Sequence, residues 1–207
     1  MSLNVDRVWA AISDFRSSSL PIESQIHRVI QACEDSYPHD DWQEFRKVDF
    51  EKGAQKVRDW LRGLLESEPP SQKVAALWFG LINLVDEHGA VSADVYCAGA
   101  ESYDPSDADC EWAEDCTYFP AGRFANSTSL DQIYRLAYAA DTGLGNEAEW
   151  SLSLAFSVAA LCSTFSEMTS EDIPGSSDTI GLAVGFDSGD LLRLGELTST
   201  GFVPCTD

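Results

Sequence analysis

Positive charge is nearly missing from the last two thirds of this chain. Residues 74–207 hold three Arg and no Lys against 22 acids, whereas residues 1–73 hold 10 bases against 13 acids, so most of the net −22 lies after Lys73. The gap between Lys73 and Arg123 contains Asp86, Glu87, Asp94, Glu101, Asp104, Asp107, Asp109, Glu111, Glu114 and Asp115. A surface of that sign repels nucleic acid and anionic lipid, and attracts a basic protein or a metal ion.

Other absences narrow the field. The six cysteines, Cys33, Cys97, Cys110, Cys116, Cys162 and Cys205, include no C-x-x-C pair, and a chain of 207 residues needs no staples, so they read as ordinary thiols. The first residues lack the basic and apolar regions of a secretory leader, and no uninterrupted apolar run reaches the ~20 residues of a membrane helix. These features predict a soluble, cytoplasmic protein. There is no P-loop and no G-x-S-x-G, and the three histidines, His27, His39 and His88, lie in contexts that suit surface or satisfied side chains. No cofactor is expected, and binding leads over catalysis.

What is present is ample core material, 44% hydrophobic and 11% aromatic, which excludes a disordered acidic tail. The chain is expected to form one α+β domain, with a helical subregion over 1–70 and a strongly acidic sheet-and-helix subregion over 71–207. Apolar residues recur at helical spacing in Val5, Val8, Trp9, Ile12 and Phe15, and again in Ile22, Ile26, Val29, Ile30 and Cys33, with Pro21 suited to the start of the second set. A third helix is predicted from Asp49 as cap through Ala54, Val57, Leu61 and Leu65, stopped by Pro69 and Pro70.

After Ser71 the pattern changes to the apolar run 74–85, a turn at Asp86-Glu87-His88-Gly89, and alternation over 91–96, which together predict a hairpin. A second hairpin is predicted from 180–186 and 191–197 around Asp187-Ser188-Gly189-Asp190. Two helices fall between them. The first is predicted to be capped by Ser129 with Gln132 as a capping box and to stop at Thr142-Gly143; the second spans 147–165. The apolar character of that second helix suits a core element better than an oligomer interface. The expected architecture is N-terminal helices followed by an antiparallel sheet of two hairpins with two intervening helices, and 166–178 as a flexible connector.

The most distinctive stretch is the long polar loop over 101–119. It places Glu101, Asp104, Asp107, Asp109, Glu111, Glu114 and Asp115 among four aromatics, Tyr103, Trp112, Tyr118 and Phe119. Aromatic anchors surrounded by carboxylates suit recognition of a basic protein, and these eleven residues form the candidate partner-binding site. The alternative is that the aromatics turn inward. Counted as an EF-hand from Asp107, the loop has Trp112 and Tyr118 where Gly and Glu are required, and Cys110 and Cys116 have no nearby His, so no metal site is expected. Gly143-Leu144-Gly145-Asn146-Glu147-Ala148 fits the dinucleotide fingerprint in letters only: a helix precedes it, and its two following acids oppose a pyrophosphate.

The stretches Trp78-Phe79-Gly80-Leu81, Tyr103-Asp104-Pro105, Gly143-Leu144-Gly145-Asn146 and Gly185-Phe186-Asp187-Ser188-Gly189-Asp190 are the most characteristic after Lys73. With the acidity and the lack of a catalytic signature, the chain resembles bacterial immunity proteins, a resemblance of type that brings no functional residues with it. It implies occlusion of a cognate toxin, often a basic nuclease. Three other readings stay open: a carboxylate-based hydrolase or metal-dependent enzyme, a DNA mimic, and a scaffold.

Overall fold

In the computed structural model, which describes residues 2–140, 143–187 and 189–206, the helical periodicity of the first third is realised. Helix α1 (Val5–Ser13) starts where the Asn4 side chain accepts from the Arg7 N–H (3.1 Å), and α2 (Ile22–Ser36) follows directly on Pro21. A single turn, α3 (Trp42–Phe45), is too short for periodicity to reveal, yet it buries Trp42 and Phe45. Helix α4 (Phe50–Ser67) begins at the predicted cap, Asp49, which accepts from the Lys52 N–H (3.0 Å).

Strands β1 (Val74–Val85) and β2 (Val91–Ala100) form the first predicted hairpin, and a short edge strand, β3 (Cys116–Tyr118), pairs with β2. Helices α5 (Thr128–Ala137) and α6 (Asn146–Phe165) then cross one face of the sheet before β4 (Ser176–Phe186), β5 (Leu191–Thr198) and β6 (Gly201–Pro204). The sheet order is β3-β2-β1-β4-β5-β6. The fold is therefore α+β with two antiparallel hairpins, but β1 and β4 pair in parallel, from Ala76 with Gly181 to Leu81 with Phe186, which makes the sheet mixed rather than antiparallel. The long helical crossover through α5 and α6 permits that parallel join, which a tight turn cannot make.

Three local expectations change. The cap of α5 is Ser127, whose backbone is extended and whose hydroxyl accepts from the Leu130 N–H (3.3 Å); Ser129 lies inside the helix and is buried. The helix ends at Ala137, and Thr142, the predicted stop, lies outside the described residues, as does Ser188 in the second hairpin turn. The segment expected to be a flexible connector is tied down by a capping box between Thr169 and Asp172 and by burial of Met168 and Ile173.

Helix α6 is the centre of the molecule. It packs against α2, α4, α5 and β4, and its Phe156 and Phe165 meet Phe50 and Phe79 at ring-centroid distances of 6.0 and 5.7 Å. Its composition would suit a membrane, but 89% of the relevant window is buried within the fold. Each fully buried Phe or Leu contributes about 1.5–3 kcal/mol, so a helix buried on all sides outweighs any single surface interaction.

Among the described residues the six cysteines form no disulfide with one another, and burial pushes Cys33 up to about 11 and Cys162 up to about 12. At one contact the helices come too close for any side chain: a Cβ on Gly53 of α4 would lie 1.9 Å from Ser129 Oγ and 2.9 Å from Ser129 Cβ. Replacing Gly53 with Ala gains about 1 kcal/mol of helix preference but forces apart a packed junction at roughly 1–3 kcal/mol. The expected net effect of Gly53→Ala is a loss of stability, read by urea denaturation. A stabilised variant would show that α4 and α5 are not in close approach.

Candidate functional site

The sheet has two covered faces, and the sequence divides its residues between them. Along β1, Leu77, Phe79 and Leu81 point to the helices, while Ala76 and Trp78 point to the opposite side, where they cluster with Ala98, Ala100 and Ala183. Apart from Trp78, the sheet residues of that second face are small, which leaves room for the acidic loop to lie on it. Trp112, 6% exposed, and Cys110, fully buried, join this cluster, and Tyr103 packs edge-on against Trp112 at 5.7 Å.

The loop is anchored at several points. The Tyr103 hydroxyl donates to Glu196 Oε1 (2.9 Å) on β5, and the Tyr118 hydroxyl donates to the Glu68 carbonyl (2.7 Å) at the end of α4. Arg193, one of the three bases after Lys73, donates to the Pro105 carbonyl. Thr117 donates to Glu101 (3.1 Å), which draws the two ends of the loop together. Two of its acids brace it from within. Asp104 accepts from the Ser106 N–H (2.8 Å) and hydroxyl (2.6 Å), bonds that hold its carboxyl below the usual range, and Asp107 accepts from the N–H groups of Asp109 (3.0 Å) and Glu111 (2.6 Å).

The eleven predicted residues thus fall into two sets. Glu101, Asp104, Asp109, Glu111, Glu114 and Asp115 are exposed, and Phe119 is 56% exposed beside them in the chain. Tyr103, Trp112 and Tyr118 face the protein's own sheet, so three of the four aromatics hold the loop rather than standing out from it. Asp107 is half-buried. Among the described residues no Lys or Arg comes within ion-pair distance of the exposed loop acids, in contrast to Arg7 with Asp35 (2.7 Å) or Arg46 with Glu34 (2.9 Å) in the N-terminal helices.

A second polar feature was not singled out from the sequence. At the far end of β1 a cavity of about 200 Å³ opens between β1, β2, α5 and α6, with Asn83 and Asp187 at its exposed rim and Asp94, Glu149 and Ser153 buried along its wall. Asn83 Nδ2 donates to Glu149 Oε1 (2.6 Å), and the Tyr138 hydroxyl donates to Glu149 Oε2 (2.6 Å). Asp94 accepts from the N–H groups of Val95 (2.9 Å), Ser127 (3.0 Å) and Asn126 (3.0 Å), fixing the entry to α5, while its burial pushes its carboxyl above the usual range. A signal was available: Glu149 and Ser153 stand four residues apart, hence on one face of a helix whose other residues are almost all apolar or small.

In comparisons with protein families, curated proteins and solved structures, nothing matched this chain. The site is therefore read from its own chemistry.

Two outcomes follow. A Cβ on Gly181 would lie 2.2 Å from the Tyr103 ring, so Gly181→Ala is expected to undock the loop and open 101–118 to limited proteolysis; an unchanged cleavage pattern would show that Tyr103 does not hold it. Asp94→Asn turns a carboxylate oxygen into an NH₂ facing a backbone donor and should cost about 1–3 kcal/mol. Because the folded Asp94 carboxyl titrates above its unfolded value, its contribution is fully present below the unfolded pKa and is lost as pH rises through the folded one. The deficit of Asp94→Asn is thus largest in acid and shrinks as pH rises, which denaturation across pH reads directly.

Proposed function

We propose that this protein binds a basic protein through the outward carboxylates of the 101–119 loop, and that it acts as an immunity-type protein neutralising a toxin nuclease in the cytoplasm. The observation that carries the binding reading is the set of six exposed acids, Glu101, Asp104, Asp109, Glu111, Glu114 and Asp115, on a loop docked by Tyr103, Trp112 and Tyr118 and without internal cationic partners among the described residues. Surface acids on a mobile loop mostly meet water. Acids held in fixed positions by a buried aromatic base present a standing negative field to an approaching cation.

The loop's role in this reading is mainly one of encounter. Complementary charge raises association rates toward about 10⁸–10⁹ M⁻¹s⁻¹ at low salt and loses that advantage as salt screens it. Phe119 is the one loop aromatic that offers exposed contact area to a partner. The role as toxin neutraliser rests on the resemblance of type and on the sign of the charge.

Surface plasmon resonance against basic proteins recovered from the native host lysate tests the reading. Association should slow about tenfold or more between low and physiological salt, and neutralising Asp109, Glu111, Glu114 and Asp115 together to Asn and Gln should slow it comparably while leaving the melting temperature within a few degrees. Binding that ignores both salt and these four substitutions would remove the loop from the interface.

A further inference from the structure

We propose that the cavity behind Asn83 and Asp187 is a binding site for an alkylammonium group, carried by a free small amine or by the lysine side chain of another protein. This site is separate from the acidic loop and stands whether or not the loop binds a partner.

The buried wall of the cavity is acceptor-rich. Glu149, 8% exposed, and Asp94, 4% exposed, both line it, while Asp187 at the rim already accepts from the Tyr96 hydroxyl (2.7 Å). Among the described residues no Lys, Arg or His lines it. An ionised carboxylate offers about four acceptor positions. Glu149 uses two of them, on Asn83 and Tyr138, and Asp94 uses three, on backbone N–H groups, so both retain acceptor capacity.

The second observation is Ser153. It is 3% exposed, it lines the cavity, and its hydroxyl has no hydrogen-bond partner. Ser151 and Thr164 of the same helix bond back to it, to the Glu147 carbonyl (2.7 Å) and the Ala160 carbonyl (2.8 Å), while Ser157, equally buried and without a partner, does not line the cavity. A buried hydroxyl without a partner carries an uncompensated desolvation cost, and one that lines a cavity beside Glu149 is satisfied when a donor enters.

Size and walls select the kind of donor. Leu81 and Leu130 supply a hydrocarbon wall and Phe186 stands half-buried beside them, so the space takes an apolar arm as well as a charge. A cavity of about 150 Å³ holds one benzene, so this one holds about six to eight non-hydrogen atoms. Among the described residues no three His, Cys, Asp or Glu side chains converge to hold a metal ion. An ammonium has three donors and no acceptor, the complement of Glu149, Asp94 and Ser153.

The test is amide chemical-shift titration of the full chain with n-butylamine, beside n-butanol as the uncharged match. Saturable shifts at Asn83, Asp94, Ser153 and Phe186, with the alcohol at least about tenfold weaker, are expected, since charge-assisted bonds are about twice as strong as neutral ones. Glu149→Gln should weaken the amine about tenfold. Should that variant fold poorly, Ser153→Ala, which only trims an unpartnered hydroxyl, should weaken it several-fold.

Equal affinity for amine and alcohol, shifts confined to the 101–119 loop, or full affinity in a folded Glu149→Gln or Ser153→Ala variant would overturn the proposal. Competition by Nα-acetyl-lysine N-methylamide decides the source. Displacement of n-butylamine assigns the site to a lysine side chain, and failure to displace it assigns the site to a free amine.

Discussion

Burial of β1 on both faces is the constraint on which the rest of the structure depends. Its residues alternate between Leu77, Phe79 and Leu81, which enter the helical core, and Ala76 and Trp78, which meet the acidic loop. A strand covered on both sides reads as a continuous apolar run, and it sits in the middle of the sheet with β2 and β4 as neighbours. Helix α6 covers one face with large side chains; a loop carrying seven acids covers the other with a few aromatics. The two coverings require different surfaces beneath them. Large residues fill the space under a helix, whereas alanines and glycines leave room for Tyr103 and Trp112 to lie close to the backbone.

That division explains how so acidic a chain folds. Exposed carboxylates repel one another only over the Debye length, about 8 Å at physiological salt, and each exposed pair is worth little in either direction. The loop acids stay at the surface while the aromatics between them go down. Asp104 and Asp107 even turn charge to structural use, by accepting bonds from the loop's own backbone. Docking through Tyr103 and Trp112 outweighs a screened repulsion, and the charge is thereby held in place rather than dispersed.

The elements legible in the sequence are those with a strong local pattern. The amphipathic repeats of α1, α2 and α4, the Asp49 cap, the two hairpins and the length of α6 all follow from periodicity and turn residues. What escaped depends on contacts distant in sequence. The parallel join of β1 to β4 spans a hundred residues, and nothing local distinguishes it from an antiparallel edge. Ser127 and Ser129 both precede a helical run, and only the burial of Ser129 against α4 separates cap from core. The loop was visible as a loop, but its inward aromatics were not, because Tyr103 and Trp112 look the same whether the small residues beneath them are free or occupied. The Glu149 and Ser153 cavity was hidden because its acids are two among 35, and only geometry separates them.

The inward turn of the aromatics changes what kind of binding the acidic face can perform. Tight interfaces draw most of their energy from a few desolvated aromatic or Arg anchors, while rim charges govern how fast partners meet. With Trp112 buried in its own protein and Tyr103 committed to Glu196, the loop has steering charge and one exposed ring, Phe119. In the proposed function, residence on a partner then comes from elsewhere on the surface. The features suited to it are those in which desolvated acceptors already exist, because a donor entering there satisfies groups whose burial has been incurred in folding. Among the carboxylates described, Glu149 and Asp94 meet that condition and the loop acids do not. In the two proposals, charge that attracts and charge that holds are separated, the first on a docked loop over one face of the sheet and the second in a cavity at the end of β1.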